Sequence, residues 1–373
     1  MTQPYVDRTR RLQDRLASHD ADGVVLTASP NLFYCTGFWE TQMERHLLGF
    51  VAESGDPVLV APSIYSGQLA EETWITDVRT YGDEDDPTSE IRDVAADLGL
   101  TDGHLLLDPT MWARFTHDLR STLPDATFGL AEDAFASLRI TKDATELDAI
   151  RRASTIADGV IEDLRRMGES ILGTTESELA TTIETMLSEG GGTEPAFDII
   201  VGAGPNGASP HHHHSDRVIQ PGDPVVLDFG TRVDHYPSDQ TRTLMFGGTP
   251  PDGFDDAFEA VREAQEAAIR AIQPGITAGD VDDVARSIIE EHGYGDRFIH
   301  RTGHGVGLDV HEQPYIVGGN DLILEKGMVF SVEPGVYLDG EYGIRIEDLV
   351  AVTGTGSERL NTTDRGYRTT TQS

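Results

Sequence analysis

The sequence predicts an α+β protein in which a small α/β domain precedes a larger domain of long helices and antiparallel hairpins. Residues 7 to 135 alternate short strand-like apolar runs with amphipathic stretches. The later part has longer helical stretches, and its strand-like runs follow one another across turns. Consecutive strands joined by turns indicate hairpins rather than βαβ units. We therefore expect domains at residues 1–135 and 136–373.

The first domain begins with an amphipathic helix, in which Leu12 and Leu16 share an apolar face. The run GVVLT at 23–27 has the composition of a buried strand. The run GFVAESGDPVLVAP at 49–62 predicts a hairpin that turns near Gly55.

The second domain is predicted to combine four helical stretches with paired strands. The helical stretches have apolar residues at a spacing of three to four, and they cover 142–167, 177–190, 254–272 and 278–292. The strand-like runs are FDIIVG, DPVVLDFGTRV, TRTLMF, MVFSVEPGVYL and GIRIEDLVAVT.

The charge of the chain restricts its partners and its environment. The 373 residues include 28 Lys plus Arg and 65 Asp plus Glu, which gives a formal net charge of −37. A chain this anionic is repelled by phosphate unless it carries a basic stripe, and no such stripe occurs, so nucleic-acid binding is excluded. Only Lys142 and Lys326 are lysines. An acid-rich, lysine-poor composition is typical of a salt-adapted surface, although an ordinary acidic enzyme is the simpler alternative.

Cysteine content and hydropathy point to the cytoplasm. Cys35 is the only cysteine, which excludes an intrachain disulfide and a cysteine-based metal site. It follows Leu32, Phe33 and Tyr34, so we expect a small buried residue rather than a nucleophile. The N-terminal segment lacks the apolar core of a signal peptide, and no stretch approaches the ~18 apolar residues of a membrane span. We expect a cytoplasmic protein that does not bind membranes.

The segment GAGPNG at 202–207 matches the dinucleotide-binding pattern G-x-G-x-x-G. A phosphate-binding loop of this kind must open a helix whose N-terminus faces the phosphates. Here Pro205 and Pro210 are followed by four histidines, which is not the start of a helix. We therefore predict a plain connecting loop.

Two hairpins each carry a pair of acidic residues inside apolar sequence. In the first, VVLDFG and SDQTRTL flank a turn at DHYP, so we expect Asp228 and Asp239 to lie opposite each other. In the second, SVEPGVYL and GIRIEDL place Glu333 and Glu347 in the same relation. One such residue alone fits an ordinary surface acid. Four of them favour a metal site, because buried carboxylates are costly unless cations compensate them.

The donor types predict which metal binds. Four carboxylates carry a charge of −4, which two divalent ions neutralise, so two metals are expected. Oxygen-rich ligation favours Mn²⁺, with Co²⁺ or Zn²⁺ as alternatives. Two ions ~3.5 to 4 Å apart can activate a water and polarise a carbonyl together. An imidazole ligand is expected from HRTGHGVGLDVHE, which contains His300, His304 and His311; of these, His304 is the best candidate.

These segments together resemble the pita-bread metallopeptidases, a family that includes Xaa-Pro dipeptidase (prolidase) and Xaa-Pro aminopeptidase. Five ligand motifs occur in the family's order, with separations of 11, 65, 29 and 14 residues between the candidate ligands. The motifs are LDFG, SDQTRT, TGHGVGLDVHE, VEPGVY and GIRIED. The run LTASPNLFYCTGF also looks like the N-terminal domain of the proline-specific branch. The resemblance implies a pita-bread catalytic domain preceded by a creatinase-like domain.

The resemblance also implies a ligand set. Asp228 would bind the first metal, and His304 and Glu333 would bind the second. Asp239 and Glu347 would bridge both ions.

Further roles follow from the same resemblance. Glu333 would also move the proton from the attacking water to the leaving nitrogen. His311 would donate to the scissile carbonyl as it gains charge. His211, which lies 17 residues before Asp228, matches the substrate-binding histidine of the family.

The remaining candidates lie beside these residues. Tyr337 resembles a tyrosine that lines the substrate pocket, and a structural role is the alternative. Arg345 is expected to orient the bridging carboxylates from behind. The other three histidines of the run at 211–214 have no counterpart, so we interpret them as an extension beside one functional histidine.

The predicted function is hydrolysis of the bond before proline in short peptides by a homodimer. A hydrolase of the same fold that cleaves a non-peptide C–N bond is one alternative, and a catalytically inactive binding module is another. An arginine follows the H-E-x-P segment in some prolidases, whereas Tyr315 follows it here. That difference favours an aminopeptidase. His211 and His212 can meet a substrate carboxylate, and with the small first domain they favour a dipeptidase, which we take as the prediction.

Overall fold

The structure is a computed structural model that describes residues 3–369. The chain separates into two units, Met1–Arg139 and Ile140–Ser373. Over residues 3–369, the helices lack the combination of length and apolar character that a membrane crossing requires.

The first unit is a mixed β-sheet flanked by helices. The sheet order is β4-β3-β2-β1-β5-β6, in which β1 pairs antiparallel with β2 and parallel with β5. Its strands are β1 (Gly23–Thr27), β2 (Leu48–Ala52), β3 (Val58–Pro62), β4 (Asp77–Tyr81), β5 (His104–Leu107) and β6 (Thr127–Leu130). Its helices are α1 (Gln3–Leu16), α2 (Pro30–Thr36), α3 (Ser66–Glu72), α4 (Pro87–Asp97), α5 (Ala113–Thr122) and α6 (Glu132–Arg139).

The local predictions for the first unit are confirmed. Helix α1 buries Leu12 and Leu16, and strand β1 has the predicted bounds. Strands β2 and β3 form the predicted antiparallel hairpin. Gly55 in its turn has φ +90°, a conformation that glycine adopts without strain. Cys35 is buried, and burial raises the pKa of its thiol to about 12, which fits a packing role.

The second unit is built from antiparallel sheets and long helices, as predicted. Its sheets have the orders β11-β8-β7 and β13-β12-β14-β17-β18, with separate pairs β9–β10 and β15–β16. The helices are α7 (Ala144–Met167), α8 (Glu176–Glu189), α9 (Phe254–Ala271) and α10 (Ala278–Glu291). The strands are β7 (Ile200–Ala203), β8 (Val225–Phe229), β9 (Arg232–Val233), β10 (Tyr236–Pro237), β11 (Gln240–Leu244), β12 (Gly303–Gly305), β13 (Glu312–Ile316), β14 (Val329–Val332), β15 (Gly335–Leu338), β16 (Tyr342–Arg345), β17 (Asp348–Val352) and β18 (Ser357–Arg359).

Two apolar clusters hold these sheets in place. One joins α9 and α10 to strands β14, β16 and β17, and the other joins α7 and α8 to strands β7, β8 and β11. Helix α7 begins with a capping box in which Asp143 and Glu146 satisfy the free backbone N–H groups of the first turn. The strands that carry the candidate ligands are therefore packed against helices through these two clusters.

The GAGPNG segment is a connecting loop, as predicted. After β7 it forms one 3₁₀ turn, Gly204–Ala208, and no α-helix follows there. Its glycines allow backbones to pack closely. A Cβ on Gly202 would lie 2.9 Å from the Cα of Gly207, and a Cβ on Gly343 would lie 1.9 Å from the carbonyl oxygen of Gly207.

Candidate metal centre

The first hairpin places its two aspartates as diagonal neighbours. Asp228 pairs with Thr241 in the β8–β11 ladder, so the predicted pairing of Asp228 with Asp239 is wrong. Asp234 and His235 form the turn with φ values of 48° and 70°, which suits the two-residue turn that closes a tight hairpin. This turn is centred one residue later than the predicted pairing requires. Asp239 still lies on the face of Asp228, because residues two apart along a strand share a face.

The second hairpin keeps Glu333 and Glu347 in one register, although both lie between its paired strands. Strands β14 and β17 pair Val332 with Asp348, and strands β15 and β16 pair Gly335 with Arg345. Glu333 and Glu347 occupy the facing positions between these two ladders in the same register. The two glutamates therefore lie where the hairpin ladder is interrupted.

Carboxylates from both hairpins converge on His304. Asp239, His304 and Glu347 are buried, and each offers a ligand atom within 4.8 Å of the others. The Nε2 atom of His304 lies 3.3 Å from Glu333 Oε1 and 3.6 Å from Asp239 Oδ2. Its Nδ1 atom lies 3.2 Å from the carbonyl oxygen of Gly305. A proton on Nδ1 would leave the lone pair of Nε2 facing the carboxylates, which is the usual arrangement of a metal-binding histidine.

The carboxylates repel one another in this cluster. Burial raises the pKa of Asp239 well above its usual range, and the charges of Asp228 and Glu333 raise it further. Burial and the charge of Asp239 likewise raise the pKa of Glu347. Burial also disfavours the charge of Glu333, but the hydrogen bond and the charge of His304 outweigh it and hold the pKa of Glu333 at about 2. The chain itself therefore compensates the negative charge of the cluster only in part, through His304 and the pairing of Arg345 with Asp228.

Two buried carboxylate oxygens of the cluster, Asp228 Oδ1 and Glu347 Oε1, have no hydrogen-bond partner among residues 3–369. Buried polar atoms are rarely left unpaired, and a bound ion is one of the established reasons. Oxygen donors with a single imidazole suit a hard or borderline divalent cation. The residues present therefore fit a divalent metal.

Arg345 lies behind the first aspartate. Its Nη2 atom donates to Asp228 Oδ2 at 2.5 Å, and its Nε atom donates to Thr241 Oγ1 at 3.1 Å. The Thr241 hydroxyl in turn donates to Glu347 Oε2 at 2.6 Å. Arg345 therefore binds Asp228 directly. It reaches Glu347, one of the two carboxylates predicted to bridge, only through Thr241.

Tyr337 lies behind Arg345 rather than on the wall of the cleft. Its side chain is 4% exposed, and its hydroxyl accepts from Arg345 Nη1 at 2.9 Å. The same hydroxyl lies 2.9 Å from His300 Nε2. Burial raises the pKa of Tyr337 to about 12, which keeps the hydroxyl protonated. Any effect of Tyr337 on substrate therefore passes through Arg345 or His300, which both line the cleft described below.

A cleft of about 870 Å³ opens onto the cluster. All five candidate ligands line it, together with His211 and His311. The ring of His311 packs edge-on against the ring of His304, with centroids 4.0 Å apart. Burial and the charges of His304 and Arg301 lower the pKa of His311 to about 4. The two histidines predicted to contact substrate thus share one cavity with the ligands.

Sequence reasoning missed Arg301 and Thr241. Arg301 lines the cleft, and its guanidinium lies 4.4 Å from the centre of the Tyr315 ring. The available signal was an arginine beside the histidine block, next to His300. Thr241 could have been found from its position opposite Asp228 in the first hairpin. The predicted register of that hairpin was wrong, so this pairing was missed.

Comparison with known proteins agrees with this geometry. Residues 148–354 match the family model for metallopeptidase family M24, and residues 8–141 match the creatinase/prolidase N-terminal domain. The chain is 39% identical over 345 residues to the probable dipeptidase PepE of Mycobacterium tuberculosis, covering 91% of this chain and 89% of that protein. It is 35% identical over 371 residues to an Xaa-Pro dipeptidase of Lactobacillus delbrueckii, covering 95% and 96%.

A solved structure shares the whole architecture. The crystal structure of a dipeptidase from Pyrococcus horikoshii superposes with a TM-score of 0.92 at 36% identity, covering 97% of this chain and 99% of that one. The chain therefore belongs to metallopeptidase family M24, with a creatinase-type N-terminal domain and a pita-bread catalytic domain. The predicted fold and the predicted enzyme class are confirmed, and the alternative of an inactive binding module is set aside.

Proposed function

We propose that this metallopeptidase is an Xaa-Pro dipeptidase that uses two divalent ions. The observation that carries the proposal is one cleft whose walls hold the four candidate carboxylate ligands, His304 and the cation Arg301. The Lactobacillus relative is named an Xaa-Pro dipeptidase, and its similarity extends over nearly the whole of both chains. A cleft of about 870 Å³ also has the size of a small-molecule site.

We propose that Asp228, Asp239, His304, Glu333 and Glu347 hold the two ions. Asp239, His304 and Glu347 converge closely enough for one ion, and Glu333 Oε1 lies 3.3 Å from His304 Nε2 on the same side. The unpaired Asp228 Oδ1 would bind the other ion, and Asp239 and Glu347 would bridge the two. Mn²⁺ is our proposed metal because oxygen donors dominate the set, and Co²⁺ and Zn²⁺ are the alternatives. When bound, such ions polarise a carbonyl and lower the pKa of water.

Side chains of the protein would supply the proton transfer, the stabilisation of the carbonyl oxygen and the positioning of the ligands. Glu333 lies at the edge of the cluster, where its carboxylate can accept a proton from the attacking water and pass it to the leaving nitrogen. His311 lines the cleft, and its imidazole has an N–H in either protonation state to donate to the carbonyl oxygen as charge develops there. Arg345 fixes Asp228, the Tyr337 hydroxyl accepts from Arg345, and His300 contacts the same hydroxyl.

The free carboxylate of a dipeptide needs a cation at the far side of the scissile bond. His212 is unsuited to this role, because its Nε2 atom lies 2.9 Å from the buried Glu176. Arg301 and His211 both line the cleft, and the electrostatic influence of both reaches His311. We propose that Arg301 binds this carboxylate with help from His211. Stacking on Tyr315 restricts the guanidinium, which lowers the entropy lost on binding.

Four further properties are proposals that rest on the sequence. We propose a domain boundary at 135/136, a homodimer, a cytoplasmic location and adaptation to concentrated salt. The chain itself divides after Arg139, at the end of α6 and four residues beyond the proposed boundary.

The proposed function is tested with a substrate panel. The metal-loaded protein should hydrolyse Xaa-Pro dipeptides with a higher kcat/KM than Xaa-Pro tripeptides. Faster cleavage of tripeptides would assign the chain to the aminopeptidase branch. If neither class is cleaved, the alternative of a hydrolase acting on a non-peptide C–N bond is favoured.

Replacing Arg301 should weaken dipeptide binding selectively. Arg301→Met is expected to raise KM for Xaa-Pro by roughly 10- to 100-fold, because an arginine–carboxylate contact is charge-assisted. KM for the matching Xaa-Pro amide should change by less than about threefold, since that substrate lacks the anion. Arg297→Met removes the same charge from an exposed position in the same segment and serves as the control. Equal effects on acid and amide would contradict the role of Arg301.

His211→Ala should have a smaller effect of the same kind. We expect KM for Xaa-Pro dipeptides to rise about fivefold to 20-fold, and KM for the C-terminal amides to rise less. Steady-state kinetics on each acid and its amide measure the difference. No difference between acid and amide would remove His211 from carboxylate binding.

A further inference from the structure

The four-histidine run is tied to the start of helix α8. The Nε2 atom of His212 lies 2.9 Å from Glu176 Oε2, and the Nδ1 atom of His214 lies 3.0 Å from Ser177 Oγ. His211, the histidine expected to meet substrate, precedes these two contacts directly. The position of His211 therefore depends on what fixes the residues around it.

Glu176 is the centre of these contacts. Its carboxylate is fully buried at the first position of α8. It accepts hydrogen bonds from both ends of the segment 203–215, which we call the histidine loop. The donors are Ala203 N at 2.8 Å, Asn206 Nδ2 at 3.0 Å, Ser215 N at 3.0 Å and Ser215 Oγ at 2.7 Å, in addition to the contact with His212.

The Glu176 carboxylate is not needed to cap helix α8. The helix is already capped by Thr175, whose hydroxyl accepts from Glu178 N while the Glu178 carboxylate accepts from Thr175 N. A buried charge is stable only when several donors satisfy it. The donors to Glu176 named above all belong to the histidine loop, so the carboxylate holds the two ends of the loop together.

The middle of the histidine loop reaches the metal cluster. The Nη1 atom of Arg345 donates to the carbonyl oxygen of Pro210 at 3.3 Å, and Arg345 also binds Asp228. His211 follows Pro210 directly and lines the cleft. One anchor at Glu176 and one at Arg345 thus bracket the backbone that presents His211.

We propose that Glu176 is a positioning residue that fixes the histidine loop so that His211 faces the substrate. This inference rests on the proposed dipeptidase function. The hydrogen bonds of Glu176 given above go to the histidine loop and not to a candidate ligand, so its effect on catalysis passes through the loop. His212, which has no counterpart in the resemblance, thereby gains a role as the link between the loop and its anchor.

Glu176→Gln should raise KM for Xaa-Pro dipeptides about fivefold to 20-fold while changing kcat by less than threefold. Glu178→Gln is the matched control. It removes a carboxylate from the same helix turn, but the hydrogen bond of that carboxylate is with Thr175 N and not with the histidine loop. It should leave KM unchanged. His212→Leu breaks the same link without removing the buried charge and should raise KM as Glu176→Gln does.

A double mutant separates positioning from general destabilisation. If Glu176 acts through His211, Glu176→Gln should add less than twofold to the KM of His211→Ala. A full multiplicative increase in the double mutant would overturn the proposal. So would wild-type KM in both Glu176→Gln and His212→Leu, given a wild-type enzyme that cleaves dipeptides. A wild-type enzyme that cleaves no Xaa-Pro peptide refutes the proposed function instead.

Hydrogen exchange tests the structural part without activity. Amides at 204–214 should exchange at least about tenfold faster in Glu176→Gln than in the wild type or in Glu178→Gln. Unchanged exchange across the histidine loop would show that Glu176 does not fix it and would overturn the proposal.

Discussion

Removing the metal from the purified chain is expected to abolish Xaa-Pro hydrolysis, and adding Mn²⁺ is expected to restore it. The physical reason is the concentration of unpaired negative charge around His304. Asp228 Oδ1 and Glu347 Oε1 are buried without partners within residues 3–369. Elemental analysis of the reconstituted enzyme should find about two ions per chain. One ion per chain at full activity would refute the dinuclear proposal.

Single substitutions in the cluster should have equally large effects. Asp239→Asn and Glu333→Gln should each lower kcat/KM by about 10³-fold or more, because each removes a ligand and a charge from the cluster. Glu341→Gln is the matched control, since Glu341 lies at the exposed tip of the hairpin that also carries Glu333 and Glu347. This control should retain wild-type activity.

The metal-free Asp239→Asn variant should nevertheless fold well. Burial and neighbouring carboxylates raise the pKa of Asp239 in the fold, so its ionised form destabilises the metal-free protein at neutral pH. A neutral asparagine relieves this repulsion. The Tm of metal-free Asp239→Asn should therefore equal or exceed that of the metal-free wild type, and added Mn²⁺ should raise it less. Full activity of the chelated enzyme, or of either variant, would contradict the metal mechanism.

The sequence predicts the candidate ligands better than it predicts their arrangement. Strand composition and the interruption of apolar runs identify Asp228, Asp239, Glu333 and Glu347 without any coordinates. The register of the first hairpin was wrong because it depends on where a two-residue turn begins. A shift of one residue in the centre of the turn moves the pairing by two positions.

Contacts between distant segments could not be predicted in this way. Arg345 reaches Pro210 across 135 residues, and Arg301 meets Tyr315 through the pairing of β12 with β13. Both contacts depend on how separate strands pair, which local periodicity does not encode. The resemblance implied that Tyr337 lines the pocket, whereas the hydrogen bond to Arg345 draws its hydroxyl away from the cleft.

Lowering the salt concentration is expected to destabilise the protein strongly. The formal net charge is −37, and of the two lysines only Lys326 is exposed. Lys142 is buried and forms an ion pair with Glu312 at 2.7 Å. The 28 Lys and Arg side chains therefore cannot pair with all 65 Asp and Glu carboxylates. Repulsion among these carboxylates opposes the folded state, and salt screens it.

The expected change is large enough to measure by thermal unfolding. Raising KCl from about 0.1 M to about 3 M shortens the Debye length from ~10 Å to below ~3 Å, which should raise Tm by about 10 °C or more. NaCl should act like KCl, because screening does not depend on the identity of the cation. Saturating Mn²⁺ is kept constant so that metal loss does not contribute, and sucrose at matched osmolality controls for solvent exclusion from the surface. A Tm that is constant across this range, or that sucrose raises as much as KCl does, would contradict salt adaptation. In that case, the acidic composition would be that of an ordinary acidic enzyme.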